Sequence, residues 1–201
     1  MLPENKLTRV FQRKHHDEGQ DPLELYMSVI ETCFDQEDST CHFESTLEYN
    51  VLGDHRYSCR LYFEIPAHNR EFFDEELFRE SLLNNGSIRE KLMFLPLNLV
   101  FKLTDNVTRQ GKDHAPTGIQ IQKTLELRPS IKEFAYLKYP TYYELVGVMV
   151  RTHRGANKAF TLLGGEWKTN YQGRLLNCKG CPQFNKEGTI YMLLYKMLKN
   201  H

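Results

Sequence analysis

The chain has 201 residues, with 26 basic and 26 acidic side chains, and 40% of it is hydrophobic and 12% aromatic. That length can bury the core of one domain, and the aromatic content excludes a disordered chain. Zero net charge speaks against a dedicated nucleic-acid binder, which is usually basic, and no apolar run is long enough to cross a bilayer. Met1 to Val10 lacks the apolar stretch of a signal peptide, so the expected compartment is the cytoplasm or nucleus, with no membrane association. The charge is unevenly spread. Residues 151–201 carry nine Lys/Arg and two Glu, hence +7. That third offers a surface to an acidic partner or to RNA, or is simply solvated charge on strands.

Residues 1–19 are polar and unpatterned and read as an N-terminal arm. Residues 20–201 read as one domain. Asp21 is a good N-cap, Pro22 fits the first helical position, and Glu24 sits three residues after the cap. Leu25, Tyr26, Val29, Ile30, Cys33 and Phe34 follow at helical spacing, which predicts a long helix over 22–36. From Phe43 the period becomes two. Phe43, Ser45, Leu47, Tyr49 and Val51 alternate with polar residues, Gly53 marks a turn, and Tyr57, Cys59, Leu61 and Phe63 alternate again: a hairpin. Asp74 caps a helix through Leu83, with Leu77, Phe78, Ser81 and Leu82 facing inward. Ser87 and Glu90 have capping-box spacing and predict a further short helix to Met93.

Leu97 to Leu103 reads as a buried strand, and 105–117 as a polar loop. Ile119, Ile121, Leu125 and Leu127 suggest one or two strands. Tyr142 to Val150 is a buried strand rich in β-branched and aromatic residues. Phe160 to Leu163, Gly164-Gly165 and Glu166 to Lys168 read as a hairpin, not a phosphate loop, since no helix follows. Thr189 to Lys196 is the last strand. A leading helix followed by a mostly antiparallel sheet makes the class α+β.

Five cysteines, an odd number without a secretion signal, do not form a disulfide framework. Cys178 and Cys181 have CxxC spacing, but a structural zinc needs four ligands and no second CxxC exists, so they read as two thiols in a tight turn. Cys33 falls on the inner helix face. Cys41 beside His42, and His15-His16 beside Asp17-Glu18, are weak ligand or nucleophile candidates. No cofactor is implied.

Four ordered segments together resemble the ubiquitin-specific protease family of cysteine deubiquitinases. Gln20-Asp21-Pro22-Leu23-Glu24-Leu25 looks like its Q-D-x-x-E-h box. Leu95-Pro96-Leu97-Asn98-Leu99-Val100-Phe101-Lys102-Leu103 resembles its L-P-x-x-L strand, and 121–129 its following segment, with Lys123 in place of proline. Tyr143-Glu144-Leu145-Val146-Gly147-Val148-Met149-Val150 resembles its Y-x-L-h-G-V-h-V strand, and Tyr191-Met192-Leu193-Leu194-Tyr195 its last strand. The resemblance implies a papain-like palm with a mostly antiparallel sheet and a reduced finger region.

The departures from that pattern bear on activity. Only 19 residues precede Gln20, so the N-terminal thumb with the nucleophile's Cys box is missing from this chain. Ala159, in Lys158-Ala159-Phe160, falls where the resemblance puts the general-base histidine. A methyl group cannot take a thiol proton or return it to a leaving amine. Asn170, after Trp167, falls where the histidine's orienting residue is expected. The paired CxxC knuckles of the fingers are also absent, with Cys59 alone near the first. His55 and His153 do not restore the pattern. The resemblance therefore implies a pseudo-deubiquitinase without peptidase activity that serves as a protein-binding scaffold or complex subunit, with ubiquitin as one candidate ligand. The expected partner docks on the former thumb side, against Phe160, Tyr142 and Tyr143. The competing readings are an enzyme completed by a thumb on another chain, and an RNA-associated scaffold using the basic C-terminal third.

Overall fold

The structure is a computed structural model that describes residues 45–51, 54–67, 70–84, 88–104, 119–152, 154, 156–171 and 174–198. The arm over 1–19, the helix over 22–36, Cys33, Cys41, His42 and His153 lie outside the described residues. What is described is mostly strand, with two short helices. Strands β1 (Ser45–Val51), β2 (Asp54–Arg60), β5 (Leu83–Asn84) and β6 (Ile88–Phe94) form a four-stranded sheet in the order β2-β1-β6-β5.

The larger sheet has eight strands. Its members are β3 (Phe63–Pro66), β7 (Asn98–Thr104), β9 (Thr124–Leu127) and β10 (Thr141–Arg151), followed by β11 (Asn157–Leu163), β12 (Glu166–Tyr171), β13 (Arg174–Asn177) and β14 (Thr189–Met197). Their order is β13-β12-β11-β10-β14-β7-β3, with β9 on the other end of β10. All pairings are antiparallel except β3 with β7. Two short strands, β4 (Phe72–Phe73) and β8 (Gln120–Ile121), pair in parallel.

The register explains the core. Phe63, Phe101, Leu193, Val148 and Phe160 are successive cross-strand partners over five strands. Partners share a face, and all five are 2% exposed or less. Strand β10 keeps its apolar side inward despite a register shift between Leu145 and Gly147. The shift lets Tyr143, Leu145, Val148 and Val150 all be buried, which strict alternation would forbid. Gly147 sits at the shift because a Cβ there would come within 3.1 Å of Leu194.

Helix α1 (Glu75–Ser81) closes this face. Asp74 caps it by accepting from the Leu77 N–H at 2.9 Å, and Glu75 and Glu76 lie at its positive end. Its buried Phe78 meets Phe63 and Phe101 with ring centroids 4.9 Å apart, and Phe134 at 5.7 Å. Edge-on and tilted contacts of this kind add to plain burial.

Three expectations are corrected. Residues 88–94 form strand β6, not a helix. Glu90 and Leu92 are buried and Lys91 and Met93 half-buried, a period of two, and the Glu90 carboxylate bonds Arg60 across the sheet instead of a helix start. The alternation from Tyr57 to Phe63 is not one strand. The chain leaves the small sheet at Arg60 and joins the large one at Phe63. Leu97 lies outside the buried strand, is 45% exposed, and β7 begins at Asn98. Strand β13, helix α2 (Phe184–Glu187) and a 3-10 turn at Lys132–Phe134 are additional to the expected elements.

Candidate protein-binding face

Ala159 lies in the middle of β11, opposite Met149 of β10. The β11–β12 register begins at Phe160 opposite Thr169. Ala159 lies one residue before that pair and Asn170 one residue after it. The Ala159 methyl is half-buried, and its carbonyl accepts from the Thr169 hydroxyl at 3.1 Å.

Below this strand Lys158 Nζ bonds Glu187 Oε2 at 2.7 Å and stands 4.9 Å from the Phe160 ring centroid. Cys178 is half-buried near this ion pair. Burial pushes its thiol up, Lys158 opposes that and Glu187 adds to it. Cys181 is exposed, and Gly180 turns the chain between the two with φ of +76°. Among the described residues, no three His, Cys, Asp or Glu side chains converge on a point where a metal could sit.

The three aromatic residues expected on an uncovered face divide. Phe160 is 2% exposed and Tyr143 is fully buried, which corrects that expectation. Both occupy core-facing positions of their strands. Phe160 packs edge-on against Phe184 at 5.3 Å, and Phe184 meets Trp167 at 5.2 Å. The Tyr143 hydroxyl donates to the Pro96 carbonyl at 2.6 Å, and burial raises its pKa far above the usual range. Tyr142, one position along, points outward at 37% exposure and donates to Glu126 Oε1 at 3.1 Å.

Next to Tyr142 runs a groove of about 350 Å³ lined by Leu97, Glu144, Lys196, Met197 and Leu198. The Met197 N–H donates to the Leu97 carbonyl and the Leu198 N–H to the Tyr142 carbonyl, each at 2.8 Å, which fixes the rim. Leu198 is 39% exposed, so Leu97, Leu198 and Tyr142 gather apolar surface around a Glu144–Lys196 cross-strand pair. Apolarity alone did not distinguish these leucines in sequence from core ones. Their exposure comes from lying just beyond the ends of β7 and β14.

The small sheet holds two buried carboxylates that no motif indicated. Glu48 accepts from the Tyr136 hydroxyl and lies 2.7 Å from His55 Nδ1. The Tyr136 bond first, and His55 with it, hold this carboxyl below the usual range against the effect of burial. Glu90 bonds Arg60 at 2.6 Å, yet its Oε2 is buried without a hydrogen-bond partner. Burial raises the Glu90 pKa and Arg60 offsets part of that rise.

No protein-family profile and no curated protein sequence matches the chain. Its fold does match solved structures. The yeast SAGA DUB module with a substituted Sgf73 matches with a TM-score of 0.63 and 17% identity, over 90% of this chain and 50% of that one. A Ubp8/Sgf11/Sus1/Sgf73 DUB module with a truncated Sgf11 matches with a TM-score of 0.68 and 13% identity, over 97% and 53%. A third, bound to monoubiquitin, matches with a TM-score of 0.62 and 15% identity, over 90% and 49%. The chain thus has a ubiquitin-protease-like, deubiquitinase-type fold. Structures it resembles include those of the SAGA Ubp8 DUB module, and the chain spans about half the length of these matched chains.

Proposed function

We propose that this chain is a ubiquitin-protease-like domain without peptidase activity that works as a protein-binding subunit of a complex, in the cytoplasm or nucleus. The observation that carries the reading is Ala159. It stands at the position that the resemblance gives to the general-base histidine, on strand β11 opposite Met149. An alanine there has no lone pair to accept a thiol proton, and a nucleophile supplied by another chain would still lack its base.

The binding part of the proposal rests on the groove around Leu97, Leu198 and Tyr142, an apolar surface beside charged rims of the kind that takes part in protein contacts. Matched structures include DUB modules assembled with Sgf11, Sus1 and Sgf73 and bound to ubiquitin, which makes ubiquitin and an assembly subunit the ligands to try first. The four-stranded sheet takes the place of a reduced finger region in this reading. In this reading the partner docks on the outer sheet face that carries Ala159 and Tyr142.

The test is direct. The purified chain is incubated with a ubiquitin-based suicide probe, and affinity purification with mass spectrometry identifies what binds it. The expected result is no covalent adduct and a reproducible protein partner. An adduct that maps to one cysteine and disappears on its replacement by alanine overturns the inactive reading.

A further inference from the structure

The large sheet ends at β13, which pairs with β12 from Lys168 opposite Asn177 to Tyr171 opposite Arg174 without a register shift. The other side of β13 has no strand partner among the described residues. Such an edge presents backbone N–H and C=O groups to any extended chain, and proteins usually blunt it with charge, proline, a bulge or short length. The other edges here show those devices. Strand β2 carries Asp54, His55, Arg56 and Arg60, β3 carries Glu64 and Pro66, and β5 has two residues. Strand β13, four residues like β3, reads Arg-Leu-Leu-Asn and beyond Arg174 has no charge, proline or bulge.

Its two central residues are consecutive and so point to opposite faces. Leu175 is 61% exposed and Leu176 46%, so neither face of this edge is covered, and Leu163 at the adjoining hairpin tip is exposed as well. The surroundings are basic. From Arg154 to Pro182 the chain carries five basic residues and one acidic residue. Lys168 lies on the neighbouring strand and Lys179 in the exposed turn that follows β13.

We propose that the outer edge of β13 accepts an extended, acid-rich segment of a partner protein, which adds to the large sheet as a further strand. Backbone bonds supply the pairing, alternate apolar side chains cover Leu175 and Leu176, and carboxylates meet Lys168 and Lys179. The positive surroundings disfavour a second copy of the same edge, because pairing would bring like charge together. The two central residues of β13 are aliphatic, and Trp167 on β12 packs against Phe184 instead of standing free to stack on RNA bases. The proposal stands whether or not the chain is an inactive protease relative.

The experiment uses the full chain and a fluorescein-labelled decapeptide of alternating glutamate and valine, with alternating lysine and valine as control. The glutamate peptide should bind about tenfold or more tightly than the control, with reduced backbone hydrogen exchange at 174–177. Lys168→Glu combined with Lys179→Glu should reverse the preference while Trp167 fluorescence stays native. If the double variant does not fold, Lys179→Glu alone should narrow the preference. Equal binding of both peptides, binding without protection at 174–177, or no binding at millimolar peptide overturns the proposal. So does a dimer that Leu175→Glu dissolves, or a preference for oligouridine over the glutamate peptide at low salt.

Discussion

Phe160 is the sharpest probe of how the C-terminal half is packed. In Phe160→Ala the lost ring leaves a gap between β11 and helix α2, where the ring sits edge-on to Phe184. Truncating a buried phenylalanine typically costs about 3–5 kcal/mol, and the edge-on aromatic contact places this site toward the upper part of that range. With a urea slope of about 2 kcal/mol/M, the unfolding midpoint should fall by about 1.5–2.5 M. The protein has one tryptophan, and Trp167 lies 5.2 Å from the same Phe184, so intrinsic fluorescence reports directly on this cluster. Phe160→Glu should go further and leave no folded protein, because a carboxylate there would be buried and the Lys158 ammonium beside the ring is already bonded to Glu187. A Phe160→Ala midpoint within about 0.3 M of the parent, or a Phe160→Glu chain with native tryptophan emission, would refute the packing described here.

Gly188 has φ of +150° and a Cβ there would lie 2.2 Å from the Arg151 carbonyl oxygen. Gly188→Ala should therefore cost roughly 1–3 kcal/mol from backbone strain alone, read as a lower melting temperature, and an unchanged melt counts against the turn geometry. The two buried carboxylates of the small sheet should give opposite pH responses. The folded Glu48 pKa is depressed, so its stabilisation is complete above the ordinary carboxylate pKa and is lost as pH falls through the lower folded value. Glu48→Gln should thus destabilise at pH 7 and converge with the parent in acid. The folded Glu90 pKa is raised, so the parent gains stability as pH falls through that range, and the advantage of Glu90→Gln at pH 7 should shrink in acid. Thermal melts between pH 3 and 7 check both, and parallel curves sink the assignment. Leu97→Glu with Leu198→Glu should leave the melt within about 0.5 kcal/mol of the parent, since both are surface positions, yet release the partner in affinity purification. Retention of that partner would remove the groove from the interface.

Local chemistry made several elements legible from sequence. Asp74 caps α1 through a bond to a residue three positions on, Gly164-Gly165 closes the β11–β12 hairpin with both glycines at positive φ, and the apolar run from Tyr142 to Val150 forms one strand. These signals depend on neighbours in the chain, so no tertiary knowledge was needed. Signals that depend on a partner strand were misleading or silent. The Ser87–Glu90 spacing suits a helix start equally well, and only pairing with β1, together with Arg60, made 88–94 a strand. Tyr57 to Phe63 alternates without interruption, but the chain changes sheets within it because Phe63 is needed beside Phe101. Phe160 and Leu97 are equally apolar in sequence. One lies in the middle of a strand over α2 and the other just before β7 begins, so packing buries the first and leaves the second open. The same holds for Ala159 and Asn170. The residue types belong to the sequence, whereas their positions flanking the Phe160–Thr169 pair belong to the β11–β12 register, which backbone hydrogen bonding sets across the hairpin.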